Sequence, residues 1–101
     1  MASPGAEIVA GQFIATGAAY AVKTLPSAVK SLTMRVGGLE ATYTKTMADG
    51  SMYKRLANGT GSLVTGGNGI TPSPTHDGFT LGADADINVA GALIDYIAIC
   101  E

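Results

Sequence analysis

The sequence predicts an all-β fold: a single-domain β-sandwich, jelly-roll-like, of about seven to eight short antiparallel strands. No long segment keeps apolar side chains at the helical spacing i, i+3, i+4, i+7, and the nearest approach, residues 18–30, is interrupted by Pro26. β-branched and aromatic residues instead collect in short runs, which glycine or proline turn signals separate at intervals of about eight to twelve residues. A chain of 101 residues has room for one such domain.

The first two predicted strands follow a short N-terminal arm. Residues 1–6 are small and turn-forming, so they predict a flexible arm in front of a sandwich domain that spans residues 7–101. Residues 7–16 are rich in β-branched and aromatic side chains and predict the first strand, in which Gly11 fits a bulge. Residues 20–25 alternate larger side chains with small or charged ones and predict the second strand, which the following proline ends.

The middle of the chain predicts a third strand and a hairpin. Residues 28–36 predict the third strand because their later half alternates apolar and polar side chains. Residues 40–47 and 51–56 predict two further strands. Asp49-Gly50 between them is typical of the two-residue type I′ turn that joins hairpin strands.

A region rich in glycine and proline follows this hairpin. Residues 58–61 predict a turn. Residues 66–75 combine several glycines with two prolines and predict a long exposed loop, a kind of segment that often binds partners. The residues that we expect to be exposed in and beside this loop are Asn68, Pro72, Pro74 and His76.

Three short strands separated by glycines are predicted near the C-terminus: residues 78–82, residues 86–90 and Leu93–Cys100. Both alternating faces of the last strand are nearly all apolar. Such a strand lies either at the centre of a sandwich or at a subunit interface, and both alternatives stay open. The residues that we expect at an interface are Ile8, Val9, Leu93, Ile94, Tyr96, Ile97 and Ile99.

The composition argues against several classes of protein. The net charge is −2 and only 14% of residues are charged, so we expect no nucleic-acid binding. No apolar run is long enough to span a membrane, and residues 1–5 do not resemble a secretory signal. The single Cys100 cannot close an intramolecular disulfide or supply a cysteine-rich zinc site, so we predict that it is a small buried apolar residue.

The one histidine does not predict catalysis. His76 precedes Asp77, and a hydrolase would need a nucleophile such as Ser73 or Thr75 beside them. These residues lie in a proline-rich segment without a nucleophile-elbow sequence. We therefore predict a turn and no catalytic residue.

A short acidic stretch resembles the start of a calcium-binding loop only superficially. Asp84, Asp86 and Asn88 have the spacing of the first three ligands. The glycine required at position 6 is Val89, and position 12 is Asp95 within an apolar strand. We predict a polar strand face or turn cap, and no metal.

Neither the glycines nor the tyrosines predict a cofactor. The glycine-rich residues 66–69 lack the lysine and hydroxyl residue of a phosphate-binding loop. Tyr43 and Tyr53 fall on the two strands of the predicted hairpin, where cross-strand packing is favoured over a sugar-binding platform.

The C-terminal residues 78–91, Gly-Phe-Thr-Leu-Gly-Ala-Asp-Ala-Asp-Ile-Asn-Val-Ala-Gly, are followed by Tyr96-Ile97-Ala98. This stretch resembles the "GFT-G-DADVN-SG…Y-Y-A" ending of a group of small β-rich virion proteins and tail-fibre modules of tailed bacteriophages. Residues 11–17 and the Leu25-Pro26 step resemble the opening of the same group. This chain departs from the group at Ile97, where a second aromatic is usual. The resemblance implies a structural role with no catalytic residues.

On this resemblance we expect a non-enzymatic virion structural protein, foremost a capsid decoration (cement) protein on the capsid surface. Its expected partners are the major capsid protein and copies of itself, with a trimer favoured, so the predicted interface residues would contact either. We expect residues 1–10 to order on docking. The start at Met1 leads us to expect a free-standing product. The alternative is a tail-fibre or spike adsorption module that binds a host surface glycan through residues 66–77 or the Tyr43 and Tyr53 face.

Overall fold

The computed structural model describes residues 7–101, which form nine strands in two antiparallel sheets. The strands are β1 (Glu7–Ile14), β2 (Tyr20–Val22), β3 (Val29–Val36), β4 (Leu39–Thr44), β5 (Met52–Arg55), β6 (Gly61–Val64), β7 (Ile70–Pro72), β8 (Phe79–Leu81) and β9 (Leu93–Cys100). The predicted all-β, sandwich-like fold is confirmed. Within these residues no helix is long and apolar enough to cross a membrane. The predicted N-terminal arm, residues 1–6, lies outside the described residues.

The large sheet has six strands in the order β1-β9-β3-β4-β5-β6, and the small sheet has three in the order β2-β8-β7. The first and last strands of the domain pair along their whole length, from Glu7 opposite Cys100 to Ile14 opposite Leu93. Residues 7–10 are therefore already ordered in β1, which corrects the expectation that they order on docking. The register is continuous through Gly11, so the predicted bulge is absent there.

An aromatic cluster joins the two sheets. Phe13 and Tyr96 come from the large sheet, and Tyr20 and Phe79 come from the small one. Phe13 stacks on Tyr20 with ring centroids 4.9 Å apart, and Phe79 meets Tyr96 edge-on at 5.5 Å. Such pairs contribute about 0.5–1.5 kcal/mol each beyond their burial. Gly11 leaves the space that the Tyr96 ring occupies, because a Cβ atom at Gly11 would meet that ring.

Two strands of the structure fall where no strand was predicted. β7 lies inside the predicted loop of residues 66–75, and its Ile70 is completely buried. Because β7 ends at Pro72, the missing amide of that proline is tolerated. β6 was missed because it is short and opens with Gly61 and a serine, which favour turns.

Residues 86–90, predicted as a strand, form a turn instead. The carboxylate of Asp84 accepts the backbone N–H groups of Asp86 and Ile87, and the Asn88 N–H donates to the Asp84 carbonyl. These local hydrogen bonds compete with strand pairing. Ile87 is completely buried, so its apolar character reflects one inward side chain rather than a strand.

The predicted hairpin forms with a different connection. β4 and β5 pair antiparallel, but residues 45–51 connect them in place of a two-residue turn. A type I′ turn needs positive φ at both central residues, and only Gly50 (φ +83°) has it, whereas Asp49 does not. The reason is tertiary: the Gly50 N–H donates to the Ile70 carbonyl, which holds the turn against the small sheet.

Candidate interaction surface

We call the side of the large sheet that is turned away from the small sheet the outer face. Of the exposed large apolar side chains among residues 7–101, all except Val89 lie there: Ile8, Ile14, Tyr53, Leu63, Leu93 and Ile97. Their exposed fractions run from 50% at Leu93 to 70% at Ile8. Strand pleating explains the placement, because alternate side chains of one strand point to opposite faces.

One line of residues across all six strands forms the central row of the outer face. Its members in strand order are Ala10, Ile97, Thr33, Thr42, Tyr53 and Leu63. Ile97 and Tyr53 are each 51% exposed, and the two threonines between them are half-buried. The central row is therefore recessed in the middle, at the two threonines, and has exposed apolar side chains towards both ends.

The next line of residues forms the charged row. Its members in strand order are Gln12, Asp95, Arg35, Glu40, Arg55 and Gly61. Glu40 accepts a hydrogen bond from Arg55 at 2.8 Å, and the Nε of Arg35 lies 3.5 Å from its other oxygen. Gln12 donates to Asp95 at 2.6 Å. Exposed pairs contribute only about 0–1 kcal/mol each, so the row matters more as a charge pattern than for stability.

Two shallow depressions flank Asp95 on this face. One lies between Asp95 and the side chains of Thr33 and Arg35. The other lies between Asp95 and Ala10 and Gln12. Both depressions are open to solvent and lie near β9. The side chains of a partner can fit into them.

The predicted interface residues divide between the two faces of the large sheet. Ile8, Leu93 and Ile97 are exposed on the outer face, and Ile99 is half-buried there. Ile94, Tyr96 and Val9 point inward: Ile94 is completely buried, Tyr96 is 6% exposed, and Val9 packs against the core. The interface prediction is corrected for Ile94 and Tyr96, because a side chain buried in the core cannot contact another subunit; Val9 is only partly buried.

The predicted exposed loop keeps most of its predicted residues at the surface. Asn68, Pro74 and His76 are exposed, whereas Pro72 is half-buried in β7. His76 has a left-handed backbone, with φ of +59°. This conformation fits the tight turn that we predicted.

The hydroxyl groups near His76 bind Asp77. Thr75 Oγ1 donates to the Asp77 carboxylate at 2.7 Å and Ser73 Oγ donates to it at 2.9 Å. These two hydrogen bonds, with Thr75 the larger cause, lower the pKa of Asp77. The hydroxyls thus close a polar turn around the Asp77 carboxylate.

The acidic stretch holds an ammonium group of the chain itself. Lys54 Nζ lies 2.9 Å from Asp84 and 2.6 Å from Asp86. The Lys54 and Asp84 side chains are 14% and 9% exposed, so the pair is largely buried. Hydrogen bonds to Asp86 first, and then to Asp84, raise the pKa of Lys54. Among the described residues no cluster of His, Cys, Asp or Glu could hold a metal ion.

The role of Lys54 was missed by sequence reasoning. Its position carried a signal, because Lys54 shares the inward face of β5 with the buried Met52. An inward lysine requires a carboxylate partner. Nothing in the sequence shows that this partner lies 30 residues away in Asp84.

The third residue of the acidic stretch ties two loops together. Asn88 Nδ2 donates to the carbonyl groups of Ala18 and Gly82, and Asn88 Oδ1 accepts the Gly17 N–H. Every polar group of this buried side chain is used within the chain. The Asp-x-Asp-x-Asn pattern therefore organises the fold.

Tyr43 and Tyr53 do not form one face. Tyr43 is 1% exposed and points into the core, where burial raises its pKa. Tyr53 is exposed on the outer face and lies over Gly61, where a Cβ atom would meet its hydroxyl group. Of the two surfaces considered for glycan binding, the paired-tyrosine face is thus not present.

The comparisons place the protein in no family. No protein-family model, curated protein or solved structure matches this chain.

Proposed function

We propose that this chain is a non-enzymatic structural protein of a tailed-bacteriophage virion, foremost a decoration (cement) protein that binds the assembled capsid. The observation that carries the proposal is the outer face, where the large sheet keeps Ile8, Leu93, Ile97 and other large apolar side chains exposed. Large apolar side chains exposed on one face are typical of contacts between proteins. The bacteriophage assignment rests on the resemblance of residues 78–91 to the ending of small virion proteins.

The proposed mechanism is stabilisation by mass action. A protein that binds only the assembled shell lowers the free energy of that state in proportion to the logarithm of its free concentration over its dissociation constant. Many copies on a lattice then stabilise the shell together, although each contact is small.

The test is the copy number of this chain in purified virions, measured by quantitative mass spectrometry against the major capsid protein. A constant ratio near one per capsid subunit, or one per local threefold position, supports the decoration role. A few copies per particle would instead place the chain in a tail or fibre, the location that a glycan-binding adsorption module requires. Absence from the particle would overturn the virion proposal.

A further inference from the structure

The outer face carries a charge pattern that is complementary to itself. From β9 to β5 the charged row alternates in sign through Asp95, Arg35, Glu40 and Arg55. When such a row is reversed and laid against the original, every acid lies opposite a base. We propose that the outer face binds the outer face of a second copy of this chain, through a two-fold axis that runs along the strands between β3 and β4.

The charges select this axis. Two sheets that pack face to face through a two-fold must have the axis in the plane between them. An axis along the charged row would place each residue opposite its own copy, so that Asp95 faces Asp95 and Arg35 faces Arg35. An axis along the strands reverses the strand order instead. Asp95 then faces Arg55 of the second copy, and Arg35 faces Glu40.

The central row matches itself about the same axis. Ile97 on β9 faces Tyr53 of the second copy on β5, and Ala10 on β1 faces Leu63 on β6. The half-buried threonines of β3 and β4 meet at the centre, where the row is low. Apolar side chains therefore meet apolar side chains in one row while opposite charges meet in the next.

The position of a depression on the outer face agrees with the pairing that the charges select. The depression between Asp95 and Thr33 lies between β9 and β3, so it faces the second copy between β5 and β4, beside the strand that presents Tyr53 and Arg55. These two side chains are among the exposed ones of the outer face. Aligned sheets pack with their strands about 30° apart, and an axis that bisects this angle still runs along the strands.

The size of the face predicts a moderate affinity. Six strands of four to eight residues give a surface of roughly 24 by 20 Å. That is roughly 480 Å², below the 600–1,000 Å² that each partner of a standard specific interface buries, and it places the contact among the small, transient ones. We therefore expect a dimer that dissociates in the micromolar range. The pairing takes from the proposed function only that the outer face is a contact surface, here between two copies rather than with the capsid. It differs from the trimer that the resemblance favours.

The test is the oligomeric state of the purified chain in the absence of any virion component. Sedimentation equilibrium between about 1 and 300 µM, across the range expected for this contact, measures the mass and the dissociation constant. In Arg55→Asp, two pairs of facing acids replace two ion pairs of the dimer. We therefore expect the dissociation constant to rise about tenfold or more and to depend less on salt concentration. In the double variant Asp95→Arg/Arg55→Asp the opposing signs are restored, and the dimer should return.

The double variant is diagnostic because Asp95 and Arg55 do not touch within one chain: β3 and β4 separate their strands. Lys23→Asp, the same charge change at an exposed residue outside the large sheet, is the matched control and should leave the constant unchanged. Circular dichroism of each variant confirms that it is folded.

A monomer at every concentration, a trimer, or a dimer that Arg55→Asp leaves intact would each overturn the proposed pairing. Failure of the double variant to recover while it remains folded would overturn the two-fold register. A dimer in solution together with absence from virions would leave the pairing standing and refute the proposed function, so the two proposals can fail separately.

Discussion

Replacing Lys54 by methionine should destabilise the fold strongly. The methionine keeps an apolar stem of similar length and removes the ammonium group that lies between Asp84 and Asp86. Asp84 is only 9% exposed, so its carboxylate would be left largely buried and without its cation. Removing one partner of a buried ion pair costs about 3–5 kcal/mol.

Two features reduce that cost here. The Asp84 carboxylate keeps two backbone N–H donors, and Asp86 is 47% exposed and can rehydrate. We therefore expect Lys54→Met to lower the free energy of unfolding by about 2–3 kcal/mol. For a domain of this size that corresponds to a fall in Tm of about 10–20 °C.

Urea unfolding at pH 7, followed by circular dichroism, measures the effect. Asp86→Asn is the matched control, because it removes a charge from an exposed member of the cluster and should cost less than about 1 kcal/mol. The double variant Lys54→Met/Asp84→Asn also removes the Asp84 charge, and it should recover at least half of the lost free energy of unfolding. A Lys54→Met protein within about 0.5 kcal/mol of the unchanged chain would refute the reasoning.

The pH dependence of this difference has a definite sign. The folded pKa of Lys54 is raised, so its contribution is complete below the ordinary lysine value of 10.5 and is lost as the pH rises through the higher folded value. The gap between Lys54→Met and the unchanged chain should therefore stay constant through neutral pH. It should narrow in strong alkali, where Lys54 loses its proton.

Three further predictions concern packing and turns. Ile94→Ala should lower the free energy of unfolding by about 3–4 kcal/mol, because Ile94 is completely buried. Ile97→Ala, on the outer face, should lower it by less than about 1 kcal/mol at a concentration where the chain is monomeric. Equal costs would mean that the two faces of β9 are assigned wrongly. Gly37→Ala, at positive φ in open space, should cost about 1 kcal/mol, and Gly50→Ala clearly more, since its Cβ would also meet backbone. Asp77→Asn should lower Tm at neutral pH. The difference in Tm should shrink as the pH falls below 3.8, because the folded pKa of Asp77 is lowered and its contribution to stability is lost on protonation. A difference in Tm that is independent of pH would contradict this.

Local pattern was sufficient for the longest strands. Residues Leu93–Cys100 form β9 with the predicted bounds, and β1 begins at Glu7 as predicted. Cys100 is completely buried, as its apolar surroundings indicated, and burial raises its pKa. These features depend on neighbours within one strand, where alternation and β-branched content act directly.

Only part of the candidate interaction surface could be predicted from the sequence. An excess of apolar side chains on β9 predicted a contact surface, but alternation defines two sets of residues without saying which set packs inside. The charged row was not predicted, because Asp95, Arg35 and Arg55 come from three strands far apart in sequence.

The sequence by itself therefore determined the all-β class, the longest strands and the apolar excess of β9, since each follows from short-range periodicity. Tertiary structure decided that Ile94 rather than Ile97 enters the core, that Lys54 meets Asp84, and that residues 70–72 form a strand. The physical reason is that strand pairing and side-chain burial join residues distant along the chain. Their free energy depends on which surfaces meet, and no local pattern contains that information.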